Sequence, residues 1–215
     1  MTETFFTSDL HLGHANVAFL RGFASPEAHD AEIVRRWNAT VSPDATVWVL
    51  GDVAMKFDSG VRRTARSLNG AKHLIWGNHD AGHPMHRTAH NAWRQFVDYG
   101  QPGDGPFLSA AASARRKLPT GDYAVLSHFP YERDRGAVRH AQWRLRDEGL
   151  WLFHGHTHGR ERVTLDRGHT EFHVGLDAWD LAPVSMACVL EEMETSAVFG
   201  TSTRALEQSR PAPAI

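Results

Sequence analysis

Five apolar, β-prone runs along the first 160 residues end the same way, in a small residue followed by a polar one: TETFFTSD, TVWVLGD, KHLIWGN, YAVLSH and LWLFHGH. Each run reads as a buried strand whose polar residue lies just past its C-terminal end. Strands are predicted over 3–7, 46–50, 73–77 and 150–154, and YAVLSH supplies another. Helices are predicted between the first three. One covers 14–20. A second covers 27–39, where Ile33, Val34 and Trp37 recur at helical spacing behind Ser25 and Pro26. A third covers 58–68, with Val61, Ala65 and Leu68 on one face. Strand and helix alternating through short connections predict a largely parallel α/β core.

Beyond Asp80 the pattern changes. A helix is expected over 84–97, then a turn-rich stretch from Gly100 to Pro106. FLSAAASARRKLPTGDYAVLSH reads as two strand segments meeting near Pro119–Asp122 in a hairpin. An amphipathic helix is expected over 137–147, and strands over 161–165, 170–175 and 184–190. These late strands suggest a second sheet, antiparallel or mixed. The end of the chain, SRPAPAI, lacks apolar periodicity, so one domain is expected over 1–206 with a mobile tail over 207–215. No repeat or internal boundary is visible.

Composition narrows the class only modestly. With 215 residues, 41% hydrophobic and 22% charged, the chain reads as an ordinary globular protein with a sizeable core. A formal net charge of −2 gives no global pull toward nucleic acid or acidic membrane, so no stable nucleic-acid partner is expected. The lone Cys188 excludes an internal disulfide, fits a reducing compartment, and reads as a buried, inert thiol in VSMACVL. The sequence enters its first strand without a charged leader, and no apolar stretch is long enough for a bilayer. A cytoplasmic protein without membrane contact is therefore expected. Oligomeric state is not legible.

The polar residues at the strand ends carry the chemistry. Asp9 and His11 lie in SDLHLGH, Asp52 in LGDVA, and Asn78 in GNHD. His128 lies in LSHFP, and His156 and His158 in HGHTHG. Any one block is an ordinary polar turn. Five at strand ends of one sheet would converge on one crevice. Carboxylates, an amide and imidazoles together suit two transition-metal ions, and two such ions suit phosphoester hydrolysis. Asp52, alone in its block, is the natural bridge. His156 and His158 alternate, so an extended chain would aim both at one face. Glycines at 51, 77 and 155 allow tight turning beside metal or phosphate.

The ordered blocks DxH, GD, GNHD, a lone His and GHTH resemble those of the calcineurin-like metallophosphoesterases, over about residues 4–160. The likeness is greatest to small, uncapped bacterial and phage enzymes with DLHLGH and VGLDAW segments. The resemblance implies an α/β fold, a four-layer αββα sandwich of two mixed β-sheets flanked by helices. It implies one metal on Asp9, His11, Asp52 and His158, and a second on Asp52, Asn78, His128 and His156, with a water or hydroxide between them. Two divalent ions are expected, Mn²⁺ by resemblance, with Fe, Zn²⁺, Co²⁺ or Ni²⁺ also suiting the mixed donors.

His79, next to Asn78, is the expected general acid, with Asp80 holding its ring protonated and oriented. His14, Asn78 and Arg160 are the expected substrate contacts, with His14 alternatively orienting a metal ligand from behind or serving structure alone. His83, His86 and His90 would share a helical face, read as solvated or substrate-facing. Arg115, Arg116 and Lys117 read as an exposed hairpin edge, with phosphate contact as the alternative, and Arg133, Arg135 and Arg139 as solvated surface, with pocket lining as theirs. Asp177 could orient a metal-binding histidine, and Trp179 reads as core. The expected activity is a phosphodiesterase on small or nucleotide-derived esters, cyclic nucleotides included. The alternatives are a phosphomonoesterase, a nuclease, a protein phosphatase, and a metal-free protein-binding scaffold.

Overall fold

Phe5 and Phe6 point to opposite sides of the first strand, and each anchors a separate core. That strand, β1 (Thr4–Thr7), belongs to a computed structural model that describes residues 2–98, 105–132, 139–166 and 169–196. β1 pairs in parallel with β2 (Thr46–Val49), β2 with β3 (Ala71–Ile75), and β3 with β4 (Ser109–Ala111). The chain then crosses to a second sheet. There β5 (Ala114–Lys117) and β6 (Tyr123–Leu126) form the expected hairpin. β6 pairs in parallel with β7 (Trp151–His154), which pairs with the second strand of the antiparallel couple β8 (Val163–Asp166) and β9 (His169–His173). β10 (Val184–Ser185) returns to the first sheet, antiparallel to β1. Both five-stranded sheets are mixed, in the orders β10-β1-β2-β3-β4 and β5-β6-β7-β9-β8.

Helices cover one face of the first sheet. α2 (Pro26–Thr40) contributes Ile33 and Trp37, α3 (Ser59–Ser67) Val61 and Ala65, and α4 (Ala89–Phe96) Ala92 and Phe96. All pack with Phe5, Val47, Val49 and Leu74. The starts of these helices follow the sequence. Ser25 Oγ accepts from Ala28 N–H ahead of Pro26, and Asp58 Oδ1 accepts from the amides of Gly60 and Val61. On the opposite face, Phe6, Leu50 and Ile75 meet Ala124, Leu126, Phe153 and Phe172 of the second sheet. Phe6 and Phe153 pack edge to face, 5.1 Å between centroids. The result is an α/β sandwich of two mixed sheets with helices. No helix of the described residues is long and apolar enough to cross a membrane.

Three expected elements differ. The helix expected over 84–97 begins only at Ala89, after a series of turns. Pro84 biases His83 away from helical backbone, and His83 Nδ1 captures the Met85 amide that a helix would use. His86 lies in these turns, so the histidine face is not formed. His83 is buried, while His90 stays exposed. Within 137–147 the described residues hold one 3₁₀ turn, Ala141–Trp143, where Arg144 bonds the carbonyls of Pro130 and Arg139 in irregular chain. The strand expected over 184–190 stops at Ser185, whose Oγ accepts from Cys188 N–H and starts a helix over 186–196. Val189 and Met193 of that helix enter the inter-sheet core. Cys188 is half-buried rather than buried, and burial still pushes its thiol up. Arg133, Arg135, positions 100–104 and the tail over 207–215 lie outside the described residues.

Candidate metal centre

The strand ends converge, though from two sheets rather than one. β1, β2 and β3 deliver Asp9 with His11, Asp52, and Asn78 from the first sheet. β6 and β7 deliver His128, and His156 with His158, from the second. Backbone bonds keep the loops together beyond the strands: Asp9 N–H donates to Gly51 O (3.0 Å), His11 N–H to Asp52 O (3.0 Å), and Gly155 N–H to His128 O (3.1 Å). Across the seam, His156 N–H donates to both Asp9 carboxylate oxygens, at 3.1 and 3.0 Å. Gly51, at φ +92°, leaves no room for a side chain between the two sheets. A Cβ there would lie 2.5 Å from Gly77 N and 2.7 Å from His128 Nδ1.

The donors form two groups, Asp9, His11 and His158, and Asp52, His128 and His156. Asp52 lies between them, its Oδ2 3.7 Å from His11 Nε2 and 3.4 Å from His128 Nε2. Asn78 Oδ1 joins the second group 3.1 Å from His128 Nε2. All seven expected ligands are thus brought together.

Hydrogen bonds fix which ring nitrogens are available. His128 Nδ1 donates to Leu50 O at 2.8 Å, which turns Nε2 toward Asp52 Oδ2, Asn78 Oδ1 and His156 Nδ1, the last at 3.3 Å. His158 Nδ1 donates to Asp177 Oδ2 at 2.9 Å, which turns its Nε2 toward His11 Nε2 at 3.1 Å. Without a proton or a metal ion among them, these inward nitrogens and carboxylate oxygens would repel one another. This donor set fits divalent metal, and the outward N–H bonds are the orienting contacts that metal-binding histidines make.

Electrostatics agree. Burial lowers His11 to about 2, so its ring is neutral and able to ligate. Burial would raise Asp52, but the His128 and His11 rings hold its carboxyl well below the usual carboxylate range. Burial works against a charged His128 as well, yet Asp52 overcomes it and raises the ring to about 9. A proton on His128 Nε2 therefore occupies the position a metal would take. Metal uptake by the Asp52 group should release about one proton at pH 7, and its affinity should climb up to tenfold per unit toward pH 9, then level. Calorimetric titration in two buffers of different ionisation enthalpy measures the proton count. An affinity flat between pH 7 and 9 contradicts this assignment.

The backbone at these ligands is strained. Asp9, His11, Asp52, His156 and His158 all have φ between +48° and +69°. Such a conformation costs roughly 1–3 kcal/mol at a non-glycine residue and persists only where the surroundings impose it. It also overturns the extended reading of His156 and His158, which serve different groups.

Other expected site residues are placed as follows. His79 is partly exposed over the cluster, its Nε2 3.9 Å from Asp52 Oδ2 and its ring 5.5 Å from that of His11. Asp80 does not hold that ring. Its fully buried carboxylate instead accepts from the amides of Asp52, Val53 and Gly77, at 3.0, 2.9 and 2.9 Å, and so ties the β2 and β3 ends together. Burial and the nearby Asp52 raise it to about 7. His14 caps α1 (Ala15–Leu20), its Nδ1 accepting from Val17 N–H, with its ring 5.7 Å from that of His11. Arg160 is exposed. Arg115, Arg116 and Lys117 lie on the edge strand β5 as expected. Asp177 meets His158 as expected, and Trp179 stacks on Phe172 in the core. Sequence reasoning missed Arg21, whose guanidinium grips Asp177 at 2.9 and 2.8 Å. No local signal distinguishes it from a surface arginine.

The fold and cluster together define an α/β sandwich with a histidine and carboxylate centre at the junction of its sheets. No family model matches the sequence. The chain is 43% identical over 197 residues to the Gene 66 protein of Mycobacterium phage D29, covering 86% of this chain and 93% of that protein. It is 40% identical over 190 residues to the Gene 66 protein of Mycobacterium phage L5, covering 83% and 88%. The chain belongs to the family of these Gene 66 proteins. The crystal structure of a protein of unknown function from Aquifex aeolicus shares the fold, with a TM-score of 0.65 at 20% identity over 89% of this chain and 99% of that one.

Proposed function

We propose that this protein is a dinuclear metal-dependent phosphoester hydrolase of the calcineurin-like type, a phosphodiesterase on small or nucleotide-derived esters. The observation that carries the reading is Asp52 Oδ2 between two histidine groups, with His128 and His158 turned inward by hydrogen bonds at their outer nitrogens. The two mixed sheets, with helices over the outer face of the first, are in keeping with the αββα arrangement of that family. Asp9, His11, Asp52 and His158 would hold one ion, and Asp52, Asn78, His128 and His156 the other, with Mn²⁺ expected. Bound there, two divalent ions would neutralise a phosphate and activate water as the nucleophile near neutral pH.

The chain supplies the rest. Asp52, buried and held ionised by the imidazoles beside it, sets a negative charge that selects cations, while burial raises the pKa of Asp9. His79 stands at the partly exposed side of the cluster, where it donates a proton to the leaving oxygen. Asp80 holds the amides of Asp52 and Gly77, and so fixes the carboxylate on which both groups depend. Its role is positioning, and the general-acid pair reduces to His79.

Diester preference follows from charge. A monoester dianion calls for cationic contacts beyond the metals, yet Arg160 is exposed to solvent and Arg21 is committed to Asp177 and to Asp9 O. With saturating Mn²⁺, kcat/KM for bis-nitrophenyl phosphate should exceed that for the mono-nitrophenyl ester. A tenfold win for the monoester, about 1.4 kcal/mol of transition-state preference, replaces the diesterase with a phosphomonoesterase. Failure to take up any divalent ion or to cleave either ester overturns the hydrolase reading.

A further inference from the structure

We propose that Arg21 is a positioning residue for the Asp9 group: it locks Asp177, and through Asp177 the ring of His158, so that His158 Nε2 faces His11 and Asp9. This deepens the metal reading above and rests on it. Arg21 follows α1 directly, where a solvated side chain would be ordinary. Instead its side chain is only 5% exposed. Each of its five N–H donors has an acceptor. Nε reaches Asp177 Oδ1 at 2.9 Å, and Nη2 reaches Asp177 Oδ2 and Asp9 O, both at 2.8 Å. Nη1 reaches His29 Nε2 at 3.0 Å and Leu10 O at 3.4 Å.

The network extends in both directions. On one side Asp177 Oδ2 accepts from His158 Nδ1 as well as from Arg21. On the other, His29 is fully buried and pairs through Nδ1 with Asp30 Oδ1 at 2.9 Å, while Asp30 Oδ2 accepts from Gly13 N–H. Gly13 lies two residues past His11. The chain of bonds thus starts and ends beside ligands of the same group, and none of them touches His128 or His156.

A buried ion pair adds little stability over an apolar pair of similar size. What Arg21 and Asp177 supply is direction. A lysine could not do the same, because its three donors lack the planar fork that grips both carboxylate oxygens. His158 is the most exposed of the histidine ligands, on a backbone at φ +50°, so its ring depends on such a hold.

The test is the paired replacement Arg21→Met with Asp177→Leu, which removes the buried charges together. Mn²⁺ titration, followed through the electron paramagnetic resonance of the free ion, reads both sites, and thermal unfolding of the metal-free protein reads stability. Wild type should bind two ions. The paired variant should unfold near the wild-type temperature, bind one ion within threefold of normal, and bind the other about 10–100-fold more weakly. Arg21→Lys should fall between. Two ions bound as in wild type, or both weakened alike, overturns the relay. Should the paired variant not fold, Asp177→Asn is read in its place, since its amide nitrogen must face either Arg21 or His158, and the same one-ion loss is expected. A wild-type protein that binds no Mn²⁺ sinks the metal reading itself, an outcome distinct from failure of the relay alone.

Discussion

Asp52→Ala is expected to empty both metal sites, not one. The Asp52 carboxylate is placed against both sets of donors, with Oδ2 3.7 Å from His11 Nε2 and 3.4 Å from His128 Nε2. Its other oxygen accepts from the His79 amide at 2.9 Å, which stops the side chain from swinging toward either set alone. Without it, two imidazoles and an amide face one another around the second position with no anion to offset a divalent charge. The affinity loss at each site should exceed the 10–100-fold typical of orienting residues behind the ligands. Elemental analysis after dialysis should find neither ion, and hydrolysis should fall with them. His156→Ala is the control, because its ring belongs to one group and should cost one ion. One ion retained by Asp52→Ala would make Asp52 a terminal ligand. Two retained with near-normal turnover would remove it from the centre altogether.

The ligands themselves were legible because each stands where an apolar run stops, and burial of the run fixes where the polar residue emerges. The sheet each strand joins was not legible. YAVLSH and TVWVLGD carry the same local pattern, yet β6 and β2 lie in different sheets, since only the β4-to-β5 crossing divides them. The strained backbone was equally hidden. Aspartate and histidine enter the left-handed region more readily than most residues, but His11 and His158 are held there because the loops after β1 and β7 are pinned by contacts to distant residues. Adjacency misled at Asp80. A side chain next to His79 suggested a partner, but the turn after β3 directs the carboxylate inward, where three amides outcompete one exposed ring. VSMACVL misled in the same way. An apolar run reads as strand or buried helix alike, and the helix-forming residues after it, EEMETS, decide the matter. Arg21 was beyond reach because its partner Asp177 lies 156 residues away.

His79→Ala should leave both ions bound and slow hydrolysis by about 10²–10⁴-fold for esters with poor leaving groups. The ring is not among the grouped donors, and its Nε2 is 3.9 Å from Asp52 Oδ2, so its removal takes no ligand away. Its backbone amide, which holds Asp52 Oδ1, survives the substitution. Burial lowers the ring's pKa and the Asp52 charge opposes that fall, with the net shift downward. A lowered pKa makes the protonated ring the stronger acid and also the scarcer form at neutral pH. Activity toward an alkyl ester should therefore decline as pH rises through a value below the ordinary histidine range, and His79→Ala should abolish that limb. A nitrophenolate leaves without a proton, so its ester should lose much less. Plotting the wild-type to variant rate ratio against leaving-group pKa separates the cases. A rising line is proton donation at the departing oxygen. A flat line across the series means that His79 only shapes the pocket, and the leaving group then takes its proton from solvent.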